Sequence, residues 1–130
     1  MKAVVLTKPC TAQELRVSEI PVPAVKRGWV LVKIKAFGIN RSEIYTRSGL
    51  SPSVKLPRVL GIECVGEVAD PSDSGLEKGQ RVVSMMGGLG RAFDGSYAEY
   101  ALIPKKQVYP VTSAAAWPEF AAMPEMYYTA

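Results

Sequence analysis

The side chains able to do chemistry gather in two stretches. Residues 40 to 49 read Asn40-Arg41-Ser42-Glu43-Ile44-Tyr45-Thr46-Arg47-Ser48-Gly49, an N-x-x-E-x-Y-x-R-x-G spacing of amide, carboxylate, phenol and guanidinium. Twelve positions past Gly49 comes Gly61-Ile62-Glu63-Cys64-Val65-Gly66-Glu67-Val68. Two readings of the first stretch are open from its residues alone. It can be a polar wall lining a cleft, or a short helix capped by Asn40, closed by Glu43 three residues later, stopped at Gly49, and packing Ile44 inward.

Metal chemistry is the first class tested. A catalytic zinc takes three protein ligands from Cys, His and carboxylate, leaving a fourth position for substrate. The chain has no histidine, and its only cysteines, Cys10 and Cys64, stand far apart. Glu63 is one carboxylate and cannot hold the ion, so no metal is expected. Two isolated cysteines also make no disulfide framework. Cys64, inside an apolar strand pattern, is read as a small buried hydrophobe.

Nucleotide chemistry is the second class. Gly87-Gly88-Leu89-Gly90 follows a β run and contains Gly-x-Gly. A dinucleotide fingerprint needs a helix opening directly afterwards, so that its N-terminus meets the pyrophosphate. Here Ser96-Tyr97-Ala98-Glu99-Tyr100 alternates as a strand. The segment from Gly87 to Gly95 is therefore read as a flexible connection, with Arg91 and Phe93 available to rim a cleft.

The elements that must position these residues are short. Ten prolines and eleven glycines punctuate the 130 residues, a spacing that favours strands over helices and a single domain over residues 1–130. Strand patterns fall at Ala3 to Leu6, Leu15 to Ile20, Trp29 to Phe37, Ile62 to Ala69, Val82 to Met85, Ser96 to Ile103 and Gln107 to Tyr109. After Ser113 the pattern turns Ala-rich and helical, broken at Pro118 and Pro124. Seven or so short strands with few helices point to a closed or partly closed barrel.

The net charge of +4 is spread thinly. Its densest spots, Lys33 with Lys35 and Lys105-Lys106, lack interleaved aromatics and read as solvated lysines along strand edges, so no nucleic-acid partner is expected. No run approaches the roughly 18 apolar residues that span a bilayer, and the run after Met1 is too short for a signal peptide core. No membrane partner is expected, and the cytoplasm is the expected location.

The Asn40–Gly49 and Gly61–Val68 stretches together resemble the two site-forming motifs in the GroES-like domain of medium-chain dehydrogenases/reductases. The likeness runs from Met1-Lys2-Ala3-Val4-Val5-Leu6 to the Ala121–Ala130 segment, and Gly95-Ser96-Tyr97-Ala98-Glu99-Tyr100 resembles a structural motif widely shared there. In the zinc alcohol dehydrogenases of that superfamily, a cysteine stands where this chain has Asn40 and a histidine where it has Ile62. Their cysteine-rich structural zinc lobe would fall near Met85 to Asp94, which holds no cysteine here. The chain therefore resembles the zinc-independent quinone oxidoreductase branch, although Glu43 replaces the aspartate usual there.

That resemblance implies a mainly β, GroES-like, partly open β-barrel with short helices. It implies a cleft where Asn40 and Tyr45 are catalytic, Asn40 offering an amide to cofactor or substrate and Tyr45 a hydroxyl. Asn40, Tyr45, Met123 and Thr129 would touch the cofactor, with Thr129 approaching the nicotinamide carboxamide. The implied reaction is hydride transfer from NADPH, without zinc, to a quinone or conjugated enone. The implied partner is a C-terminal Rossmann domain absent from residues 1–130, without which the chain is expected to be inactive, and the full-length protein is expected to be a homodimer. A second reading, from another class, is a stand-alone, non-catalytic GroES-like binding or assembly module.

Overall fold

Prolines and glycines at short intervals leave room only for brief ladders, and the chain folds accordingly. A computed structural model describes residues 1–130. Its strands are β1 (Lys2–Leu6), β2 (Val17–Glu19), β3 (Trp29–Ala36), β4 (Arg58–Val59), β5 (Glu63–Asp70), β6 (Arg81–Met85), β7 (Tyr100–Pro104) and β8 (Tyr109–Pro110). Its helices are α1 (Arg41–Arg47), α2 (Trp117–Ala121) and α3 (Pro124–Thr129).

All ladders between these strands are antiparallel. One sheet has the order β2-β1-β4 and the other β7-β3-β5-β6-β8. A single bridge between Ala3 and Ala98, and the Val4 N–H donated to the Tyr97 carbonyl at 2.8 Å, join the sheets without closing them. The architecture is the expected GroES-like, partly open barrel.

Strand alternation sets the core. Val30 and Val32 on β3, Cys64 and Val68 on β5, Val82 on β6 and Ile103 on β7 meet in the barrel interior. β5 is buried on both faces, because Val65 turns outward to Val83, Phe120 and Ala121 beneath α2. At roughly 25 cal/mol per Å² of apolar surface removed from water, these side chains dominate the stability. Lys33 and Lys35 lie on the outer face of β3, an interior strand of its sheet and not the edge expected. Lys35 pairs across the ladder with Glu67 at 3.2 Å.

Several expectations need correction. The run from Ser96 to Ile103 is not one strand. The ladder begins at Tyr100, because the Ser96 and Tyr97 N–H groups are donated to the Gly61 and Leu60 carbonyls at 3.1 and 2.8 Å. Pro118 and Pro124 start α2 and α3 instead of breaking them, since the missing proline N–H has no helical partner in a first turn anyway. The Gly87–Gly95 connection is densely packed, not loose. Leu89 is wholly buried, Phe93 meets Trp29 edge-on at 5.2 Å, and the N–H groups of Arg91, Ala92 and Phe93 converge on the Gly88 carbonyl. Gly61 stands at φ +106° against this loop, where an added Cβ would lie 2.7 Å from the Tyr97 ring. No helix is long and apolar enough to cross a membrane.

Asp73, in the turn after β5, ties three segments together. Its carboxylate accepts the Gly28 N–H at 2.6 Å and the Lys105 ammonium at 3.1 Å. The Gly28 bond first, and then the Lys105 bond, hold the carboxyl at about 2. Because the folded value lies below the unfolded one, this group stabilises the fold above the ordinary carboxylate range and loses that contribution as pH falls towards 2. NMR titration should place the Asp73 carboxyl near that value. Asp73→Asn should flatten the acid limb of a stability-against-pH curve.

Candidate functional site

α1 forms where its sequence allows: Asn40 is extended at the N-cap, Glu43 sits at the third helical position, and Gly49 follows the last turn. The Glu43 carboxylate accepts the Asn40 N–H at 2.9 Å, closing the helix start from its side. Its other oxygen accepts the Ile62 N–H at 2.9 Å, so the same side chain fastens α1 to the residue before β5. Glu43 and Thr46 are the buried residues of α1. Ile44, expected to pack inward, is 51% exposed. The inward face is polar because a backbone N–H of the Gly61-Ile62 bend needs an acceptor there.

Glu63 is the centre of the site. It is 3% exposed, and both of its oxygens are used. Oε1 accepts the Asn40 side-chain amide at 2.8 Å, and Oε2 accepts the Glu125 backbone N–H at 2.8 Å. Glu125 stands in the first turn of α3, where N–H groups have no intrahelical partner. One carboxylate thus joins the start of α1, the first residue of β5 and the start of α3.

The neighbouring charges respond to burial. Desolvation pushes the Glu43 carboxyl up, against the pull of its bonds to the Ile62 and Asn40 N–H groups, and the Glu63 charge adds to the rise. The Tyr97 phenol is buried with no hydrogen-bond partner. Desolvation, followed by the Glu43 and Glu63 charges, pushes its ionisation well above the ordinary range. Tyr97 therefore stays a neutral phenol beside two carboxylates, and its ring stacks on Phe37 at 4.6 Å.

Of the residues singled out from sequence, Asn40 is held by Glu63 through its side-chain amide N–H. Tyr45 lies half-exposed on α1. Met123 borders an open apolar groove of about 420 Å³, together with Met85, Phe120, Pro124 and Tyr127. The Thr129 hydroxyl is turned back on its own helix, donating to the Glu125 carbonyl at 2.8 Å. Asn40 is therefore connected to the helix that carries Thr129, with Met123 at that helix's N-cap, through Glu63. Sequence reasoning weighed Glu63 only as a metal ligand and missed its role as a shared acceptor. It also missed Gly38, where an added Cβ would collide with the Glu63 Oε1 and lie 2.9 Å from its Cδ.

This contact gives a direct test. Gly38→Ala should displace the Glu63 carboxylate from Asn40 and cost about 1–3 kcal/mol of stability, as overpacking of a filled site does. Thermal melts and the carboxyl carbon shift of Glu63 read the two effects. A variant that melts as wild type with an unmoved Glu63 signal would rule out this packing.

Residues 26–113 match the family described as the alcohol dehydrogenase GroES-like domain. A quinone oxidoreductase of Homo sapiens is 35% identical over 87% of this chain and 34% of its own length. A zinc-type alcohol dehydrogenase-like protein of Schizosaccharomyces pombe is 34% identical over 89% of this chain and 35% of its own length. A mycobacterial protein solved in complex with NADPH superposes with a TM-score of 0.81 at 29% identity, covering 95% of this chain and 37% of that one. The chain thus spans between a third and two-fifths of the length of these proteins. With its open two-sheet barrel and its matched residues 26–113, the chain belongs to the alcohol dehydrogenase GroES-like domain family.

Proposed function

We propose that this chain is the substrate-binding, catalytic domain of an NADPH-dependent oxidoreductase that reduces quinones or conjugated enones without zinc. The observation that carries the proposal is the Asn40–Glu63 pair. The two positions that would supply zinc ligands in the zinc alcohol dehydrogenases hold an amide nitrogen donated to Glu63 and the hydrocarbon side chain of Ile62. Both Glu63 oxygens already accept N–H groups. A zinc ion needs three lone-pair donors converging on one point, and these side chains do not fit it.

A bound reduced nicotinamide would supply the hydride, and the protein's part is position and electrostatics. Asn40, fixed by Glu63, offers its amide to the cofactor or substrate. Tyr45 offers a phenol on the same helix as a donor to a substrate carbonyl, and it can pass the proton that completes the reduction. Met123 and Thr129 border the nicotinamide side, and a Rossmann domain on the same polypeptide holds the rest of the dinucleotide. The full protein would work as a homodimer. The greater length of the relatives supports a further domain. A non-catalytic binding module would leave the Asn40 and Tyr45 polar groups on α1 without a chemical use.

In a polypeptide that joins this domain to its Rossmann domain, Asn40→Ser and Asn40→Asp keep a helix-capping side chain but lose the amide. Tyr45→Phe removes one hydroxyl and almost no volume. Each should lower kcat/KM for a quinone by about tenfold or more. Tyr45→Phe should melt near wild type, whereas the Asn40 variants leave one buried Glu63 oxygen without its donor and should melt lower, Asn40→Asp most of all because it sets a second carboxylate against Glu63. Wild-type turnover in both Asn40→Ser and Tyr45→Phe would remove these residues from the site. Elemental analysis of tag-free protein should find well below one zinc per chain, and one tightly held zinc would refute the zinc-free assignment.

A further inference from the structure

The half-buried arginines of this chain are Arg47, Arg58, Arg81 and Arg91. The first three are anchored. Arg47 donates to the Cys10 carbonyl. Arg58 pairs with Asp94 at 3.1 Å and donates to the Lys55 carbonyl at 3.3 Å. Arg81 donates to the Ala115 carbonyl at 2.8 Å and stacks on the Trp117 ring at 3.8 Å. Arg91 has no carboxylate, carbonyl or aromatic partner. Its two terminal nitrogens reach only the Ser42 and Ser53 hydroxyls, each at 3.5 Å, the outer limit of a hydrogen bond. A guanidinium carries five N–H donors in a planar fork that matches a carboxylate bidentately, so this one is held in place with its donors largely unspent.

Its backbone is fixed and its fork lies at the first turn of α1, the helix that Asn40 caps. Ser42 stands two residues after Asn40 on α1, and it brings the Arg91 fork to the first turn of that helix. The Arg91 backbone is fixed by its N–H bond to the Gly88 carbonyl at 3.0 Å, in a loop anchored by the fully buried Leu89. A fork positioned in advance loses little entropy when it takes an anion. The two serine hydroxyls can rotate to donate to the same anion.

We propose that Arg91, with Ser42 and Ser53, forms an anion site at the first turn of α1 that selects substrates bearing a carboxylate conjugated with the reducible bond. The proposal rests on the oxidoreductase reading for the word substrate, but the anion site itself can be tested on this chain alone. It names a substrate class, an acidic enone or enoate, that the Asn40–Tyr45 pair does not specify.

The test is an NMR titration of the isotope-labelled 130-residue chain with cinnamate, its neutral amide cinnamamide, and inorganic phosphate. Cinnamate should shift the Arg91 Nε resonance and the Ser42, Ser53 and Asn40 amides. It should bind about tenfold or more tightly than cinnamamide, as a charge-assisted pair predicts. Arg91→Gln should remove that preference while leaving the cinnamamide response and the melting temperature unchanged. Ser42→Ala should weaken cinnamate by a smaller factor. Equal binding of cinnamate and cinnamamide, or unchanged cinnamate binding in Arg91→Gln, would overturn the site. Phosphate that binds at Arg91 as tightly as cinnamate without moving Asn40 would overturn the carboxylate assignment. A two-domain protein that reduces no quinone would defeat the oxidoreductase reading and leave this titration standing. Intact quinone turnover with no cinnamate preference would defeat the anion site alone.

Discussion

The candidate site depends on one buried carboxylate with three duties. Glu63 opens β5, accepts the side-chain amide of Asn40 at the start of α1, and accepts the Glu125 N–H at the start of α3. Burying a carboxylate costs several kcal/mol unless hydrogen bonds replace the lost water, and here each oxygen receives an N–H. The Glu125 bond also lies at the start of α3, where first-turn N–H groups lack partners and negative charge is favoured. Removing either partner would strand a buried charge, and a Cβ at position 38 would press on this same carboxylate.

Glu43 repeats the device one layer away, and it explains why the inner face of α1 is polar. Its carboxylate serves the Asn40 and Ile62 N–H groups, both left unpaired by the ladder. The two acids sit close enough for the charge of Glu63 to add to the rise of Glu43, on top of the larger effect of burial. Polar satisfaction is thus concentrated where α1, β5 and α3 meet. The valine-rich barrel interior supplies the stability that keeps this junction in place.

Much of this was legible in the sequence. Alternation placed β3 to within a residue, and the Asn40-to-Glu43 spacing with Gly49 beyond it marked both ends of α1. The glycines at 61 and 66 mark a bend or a close backbone approach in such a strand, and both positions are closely packed, Gly61 on Tyr97 and Gly66 on the Lys33 carbonyl. What stayed hidden has physical reasons. β4 is two residues long and forms only because β1 offers an edge. Ser96 and Tyr97 alternate like strand residues but give their N–H groups to the Leu60-Gly61 bend. Ile44 looked like the anchor of α1, but periodicity cannot show that a backbone amide opposite the helix needs an acceptor. The partnership of Glu63 with Asn40 and Glu125 spans 23 and 62 positions and leaves no local signature.

The central claim is that Glu63 is spent on N–H donors and thereby fixes α3 against α1. Amide hydrogen exchange at Glu125 tests it most directly, because no other acceptor serves that N–H within the first turn of α3. The account predicts a protected Glu125 amide in the wild type. In Glu63→Met, which keeps the chain length but offers no oxygen acceptor, that protection should fall by about tenfold or more, while the Ile62 amide, held by Glu43, exchanges as before. A Glu125 amide that exchanges equally fast in both proteins would contradict the account.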